Sequence, residues 1–237
     1  MREMIPLPAK AFGVPIPYKA TIAELRSQLA EPGPRAWAAC LALGHIAGGE
    51  ALDLLVELTS RDWNYRNLAI QSLGIHPRGA AAAEVILAGL NDRVAQIVRT
   101  SCDAAAKLKL APARPKILEL LKVSDPQVRF HALRALASLW TGEDYGRVWE
   151  IFKKDKAPFV REEAAQVLRA TASEKTWRHL FDRWKRDPLP KYRVWACQLL
   201  SAFGRSDDMP ELQRLVRDGN VHVRRAAEQA AVERGVS

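Results

Sequence analysis

Apolar positions along this chain follow a helical period, and they do so in phrases that return. In "DPQVRFHALRALASL", residues 125–139, Val128, Ala132 and Leu136 lie one turn apart on one stripe. Aligning the chain on Arg129 brings up Arg35, Arg66, Arg99, Arg161, Arg193 and Arg224, at intervals of 31, 33, 30, 32, 32 and 31 residues. A period this regular marks a repeat architecture. Their neighbours recur too. One residue before stand Pro34, Tyr65, Val98, Val128, Val160, Tyr192 and Val223. Three after stand Ala38, Ala69, Cys102, Ala132, Ala164, Ala196 and Ala227. Seven after stand Ala42, Leu73, Ala106, Leu136, Leu168, Leu200 and Ala231. Each phrase is predicted to be an amphipathic helix with a narrow inner face of small residues, which lets neighbouring helices come close.

A second, bulkier pattern lies between the phrases. "DYGRVWEIFKK" places Tyr145, Val148, Trp149 and Phe152 at helical spacing, and "SEKTWRHLFDRWKR" does the same with Trp177, Leu180, Phe181 and Trp184. Weaker versions occur at Ile22, Leu25 and Leu29, at Ala83, Ile86, Leu87 and Leu90, and at Ile117, Leu120 and Leu121. Each period therefore holds two antiparallel helices, A then B, with "EPGP", "SDP" and "RDPLP" at joints where proline suits the first turn of helix B. No β-rich run competes. Two helices cannot bury both faces alone, so the units must stack. The expectation is an all-α fold: an α-solenoid, or superhelix, of about seven helical hairpins over residues 21–237, with A helices outside and B helices lining an inner groove. Residues 1–20 read as an extended, proline-rich arm against the first unit's apolar edge.

The phrases "DPQVRFHALRALASL", "APFVREEAAQVLRA" and "GNVHVRRAAEQAA" resemble HEAT repeats, and the period of about 31 is similar to the short HEAT-like subtype of bilin lyases. The resemblance covers residues 21–237, with the first, third and last units most degenerate. It implies a fold and leaves function open, because the family spans scaffolds, transport receptors, lyase subunits and DNA glycosylases. It also implies that the repeated arginine bonds an acidic residue in the turn before helix B, the place of Asp62, Asp125, Asp155, Asp187 and Asp218.

Charge narrows the partner. The net charge is +9, and residues 101–237 carry 26 basic against 18 acidic residues, whereas residues 1–100 are nearly balanced. An acidic partner is expected to prefer the C-terminal half. Cys40, Cys102 and Cys197 are too few and too scattered for a disulfide scaffold and read as small core residues. No run is apolar enough to cross a bilayer, and prolines interrupt the N-terminal stretch where a signal peptide needs an apolar core, so a cytoplasmic location with no membrane partner is expected.

The open face of helix B falls one, five and eight residues after each arginine: Asn67, Gln71 and Gly74; Thr100, Ala104 and Lys107; Phe130, Arg134 and Ala137; Glu162, Gln166 and Arg169; Val194, Gln198 and Ser201; Arg225, Gln229 and Val232. Lys107, Phe130, Arg134, Gln166, Arg169 and Gln198 are the binding candidates on it, joined by Trp195 at the edge of its helix's buried stripe. Trp149, Trp177 and Trp184 read as core. From Lys175 to Arg193 there are seven basic and two acidic residues. Lys185, Arg186 and Lys191 in this run are candidates for phosphates or an acidic protein face.

Nothing points to catalysis, a metal or a cofactor. The five histidines lack the spacing of local metal ligands, and there is no Gly-rich phosphate loop or nucleophile elbow. The sequence favours a non-enzymatic protein-binding scaffold or adaptor that uses the groove and the basic C-terminal half. One alternative is a nucleic-acid-binding protein related to HEAT-like DNA glycosylases. A second, implied by the subtype resemblance alone, is a bilin lyase-like subunit. The oligomeric state stays open.

Overall fold

The computed structural model describes residues 8–235. A short antiparallel hairpin comes first, β1 (Lys10–Ala11) and β2 (Val14–Pro15), with Lys10 opposite Pro15 and Ala11 opposite Val14. Its loop residues Phe12 and Gly13 have φ of 55° and 79°. Two positive values are what a two-residue loop matched to strand twist requires. The hairpin packs on the first helices: Ile16 is buried, Phe12 stands edge-on to Trp37 at 5.4 Å, and Tyr18 stands edge-on to His45 at 5.2 Å. The arm predicted for residues 1–20 is thus folded back as a β-hairpin where it is described; its first seven residues lie outside the described residues.

Fourteen α-helices follow among the described residues, in seven pairs. The A helices are α1 (Ile22–Gln28), α3 (Gly49–Leu58), α5 (Ala83–Gly89), α7 (Arg114–Leu120), α9 (Tyr145–Lys154), α11 (Trp177–Trp184) and α13 (Met209–Val216). The B helices are α2 (Pro34–Leu43), α4 (Trp63–Leu73), α6 (Ala95–Lys107), α8 (Pro126–Ser138), α10 (Pro158–Ala170), α12 (Pro190–Phe203) and α14 (Val221–Glu233). The expected hairpin count holds, the fold is an all-α solenoid, and every repeated arginine lies in a B helix.

The chain divides into two compact units, Met1–Thr141 with Lys156–Glu163, and Gly142–Asp155 with Ala164–Ser237. In the first, α2 packs on α4, α4 on α6 and α6 on α8; in the second, α12 packs on α14. The small stripe makes this possible. All seven residues three after the arginine, from Ala38 to Ala227, are fully buried. Gly74 shows how tight the approach is: a Cβ added there would stand 2.9 Å from Ala104. Cys40, Cys102 and Cys197 are buried, as expected, and burial pushes each thiol up to about 12. Trp177 and Trp184 are core, but Trp149 is only half-buried, its ring lying against His179 of α11 at 4.1 Å.

In the later repeats the repeated arginine closes the A-to-B turn. Arg129 donates through Nη1 to the carbonyls of Val123 and Ser124, at 2.9 and 2.8 Å. Arg193 does the same to Asp187 and Pro188, and Arg224 to Asp218 and Gly219. These are the carbonyls six and five residues upstream, left without helical partners where helix A ends. Some acids in those turns also cap a helix. Asp62 and Asp125 accept backbone N–H bonds at the start of their own B helix, and Asp218 accepts one from Asn220. Where a carboxylate meets a repeated arginine, it comes from the next hairpin: Asp92 on Arg66 at 2.9 Å, and Asp218 on Arg193 at 2.8 and 2.9 Å. The pair ties one repeat to the next.

Candidate binding face

The B helices present the surface that the stripe leaves uncovered. Five residues after the arginine, Gln71, Arg134, Gln166, Gln198 and Gln229 are exposed, as the helical wheel requires. Other positions on the expected face differ. Gly74, Thr100 and Ala104 are buried, because α4 and α6 approach closely at the Gly74–Ala104 contact and cover them.

In the first unit, Phe130 and Arg134 come together. Phe130 is half-buried rather than exposed, tilted against the exposed Phe159 ring at 5.9 Å, with the Arg134 guanidinium 5.8 Å from its centroid. Beside it, His131 Nδ1 meets Asp103 Oδ1 at 2.9 Å. Glu163 adjoins this cluster; burial raises its carboxyl, while the charges of Arg134 and His131 pull it down. Lys107 lies further along, on the wall of a polar hollow between α4 and α6. The result is an aromatic step with the Arg134 guanidinium at its edge.

Four predicted residues gather in the second unit. The Arg169 guanidinium stacks over the Trp195 indole, 5.1 Å from its centroid, and donates from Nη1 to Gln198 Oε1 at 3.3 Å. The indole is itself wedged edge-on against Trp184 at 5.5 Å and Tyr192 at 5.2 Å, which fixes the plane on which the arginine lies. Exposed Gln166 precedes Arg169 by one turn on α10. Arg169 Nε is buried without a hydrogen-bond partner among the described residues. A guanidinium held flat in this way is suited to a planar anion such as a carboxylate.

Lys185, Arg186 and Lys191 do not join that group. Lys185 bonds Asp182 at 2.7 Å, lies 3.9 Å from Glu211, and packs on the Phe181 ring; Arg186 meets Glu211 at 2.8 Å; Lys191 lies over Tyr192. Arg178 pairs with Asp208 and Arg183 with Asp187. With Arg193 on Asp218, at least five of the seven basic residues between Lys175 and Arg193 hold a carboxylate. Several of those acids arrive from the following hairpin, so the run looks denser in sequence than it is in the fold. Nucleic-acid binding through it finds no support.

Phe159, His131, Asp103 and Glu163 were not singled out in the sequence. Phe159 carried a signal, an apolar residue two before Arg161 and off the buried stripe. The His131–Asp103 contact, 28 residues apart, carried none.

Residues 83–169 match the HEAT repeats family. No curated protein matches the chain. Among solved structures it is similar to the complex of CpcE and CpcF of phycocyanin lyase from Nostoc sp. PCC7120, 15% identical, with a TM-score of 0.57 and 100% of both chains covered. It is also similar to a designed armadillo repeat protein, 17% identical, with a TM-score of 0.47 and coverage of 92% of this chain and 100% of that one. Residues 83–169 thus match HEAT repeats in sequence, and along its whole length the chain shares the helical-repeat fold of the phycocyanin lyase complex.

Proposed function

We propose that residues 21–237 act as one non-enzymatic protein-binding scaffold or adaptor in the cytoplasm, which engages its partner through the B-helix face. The observation that carries this reading is the Arg169–Trp195–Gln198 arrangement. A cation ordered on an indole, with exposed amides at Gln166 and Gln198, supplies the aromatic and arginine anchors that dominate protein interfaces. It takes a carboxylate side chain of the partner, and Phe130 with Phe159 supplies an apolar contact on the first unit. A stacked hairpin array is ordered before it binds, so little entropy is lost in arranging the receptor. The test is affinity capture from the native host with wild-type chain and with Arg169→Glu and Trp195→Ala. A protein retained by the wild type and weakened about tenfold or more by either variant, with helicity unchanged, supports the reading. Equal retention by all three forms removes it.

A second reading, a subunit of a bilin lyase, is favoured by the full-length likeness in fold to the phycocyanin lyase complex. Co-expression with a bilin and a phycobiliprotein apoprotein tests it: visible absorbance covalently attached to the apoprotein supports it, and a colourless product retires it.

A further inference from the structure

The position five residues after the repeated arginine holds a long polar side chain in five of the seven B helices: Gln71, Arg134, Gln166, Gln198 and Gln229. In α6 it is Ala104. The truncated side chain leaves a hollow of about 190 Å³ between α4 and α6, lined by Asn67, Gln71, Gln96, Thr100, Asp103 and Lys107 and floored by Ala104. That is room for about six water molecules at their share of liquid volume.

The hydrogen bonds of the wall decide what fits. Thr100 Oγ1 donates to Asn67 Oδ1 at 2.7 Å and accepts from Gln96 Nε2 at 3.3 Å. Gln96 Oε1 accepts from Arg99 Nη2 at 2.7 Å, and Asp103 Oδ1 is held by His131 Nδ1 at 2.9 Å. The Thr100 hydroxyl, the Asn67 and Gln96 amide oxygens and one oxygen of Asp103 are thus engaged by the protein, while among the described residues Asp103 Oδ2 and Gln71 Oε1 stay open. With its oxygen taken by Thr100, Asn67 keeps two amide N–H groups to donate, and Gln96 keeps a second N–H. Among the described residues Lys107 has no ion-pair partner. The open N–H groups outnumber the two open oxygens; Lys107 carries the positive charge of the lining, and the Asp103 carboxylate is turned onto His131 through Oδ1.

We infer that this hollow is a carboxylate-binding subsite, in which Lys107 supplies the charge and the Asn67 and Gln71 amides orient the two oxygens. It lies wholly within the first unit, and it stands whether or not the Arg169 station binds a partner. The carboxylate comes either from a small free acid or from a glutamate or aspartate of a bound chain. Both make the same contacts.

Side-chain amide NMR reads the site directly. The full chain is titrated with succinate, with a blocked glutamate-containing peptide, and with sodium chloride at matched ionic strength. The expected result is a saturable shift of the Asn67 and Gln71 amide signals with either carboxylate and none with the salt. Tighter binding of the peptide identifies a partner side chain as the source, and tighter binding of succinate a small acid. Ala104→Gln, which places there the glutamine found at four other hairpins, abolishes the shift. Lys107→Gln, at an exposed position, weakens it about tenfold or more through loss of a charge-assisted bond, and decides the matter should Ala104→Gln disturb folding. No saturable shift with either carboxylate, or a Lys107→Gln chain that binds as the wild type does, overturns the inference.

Discussion

Arg193 and Asp218 form a two-pronged ion pair across consecutive hairpins, Nε to Oδ2 at 2.8 Å and Nη2 to Oδ1 at 2.9 Å, while Arg193 Nη1 closes its own turn on the Asp187 carbonyl at 2.7 Å. Both side chains are largely shielded from water, so each depends on the other for neutralisation. Arg193→Ala is expected to lower stability by about 2–3 kcal/mol, in the range for losing charged, partly buried hydrogen bonds. Arg193→Lys should recover little, since an ammonium cannot make the fork and the carbonyl bond together. Urea unfolding of the three forms checks both statements.

Acid should act through the same contacts. Hydrogen bonds from Arg193 and Arg178 hold the Asp218 and Asp208 carboxyls below their ordinary value of 3.8. A carboxyl lowered in the folded state binds fewer protons there than when unfolded, so its contribution is present above about 3.8 and is lost as pH falls below it. His76 adds an earlier phase. It is buried, and burial holds its imidazole below 6.5, so stability falls as pH drops beneath that value and protons favour the unfolded chain. Thermal melts against pH should show both declines, and Asp218→Asn should flatten the lower one.

The alanine stripe predicts a sharp positional contrast. Ala196 is fully buried, whereas Gln198, two residues on, is exposed. Ala196→Leu should destabilise by about 1–3 kcal/mol or more through overpacking, while Gln198→Leu should change stability by less than about 0.5 kcal/mol. Comparable losses at the two positions, measured by chemical denaturation, would remove the basis for assigning inner and outer faces.

Cys40, Cys102 and Cys197 should be chemically silent in the native state. Burial keeps all three thiols protonated, and the thiolate is the reactive form. A thiol reagent near neutral pH should label none of them quickly and all three on unfolding, which mass spectrometry counts.

The repeat was legible because it is written within each helix. Val128, Arg129, Ala132 and Leu136 state their burial by spacing alone, and the same four offsets place all seven B helices. What crosses between hairpins was not legible. Asp218 meets Arg193 from 25 residues downstream, and whether a turn aspartate caps its own helix or reaches a neighbour's arginine depends on packing that no local pattern encodes. The basic run near Lys185 misled for the same reason, since Glu211 and Asp208, which offset it, belong to the next repeat. At the candidate site, Arg169, Trp195 and Gln198 were each readable from the wheel; that the indole would support the guanidinium was not. The N-terminal β-hairpin escaped because its two-residue strands are too short to show alternation.

Hydrogen–deuterium exchange of the full chain, alone and with the protein it captures, tests the central claim most directly. Binding on the B-helix face predicts slowed exchange in α8, α10 and α12, around Phe130, Arg169 and Trp195, with the Lys185–Lys191 turn unchanged. Protection confined to that turn, or to the outer A helices α9 and α11, would contradict it.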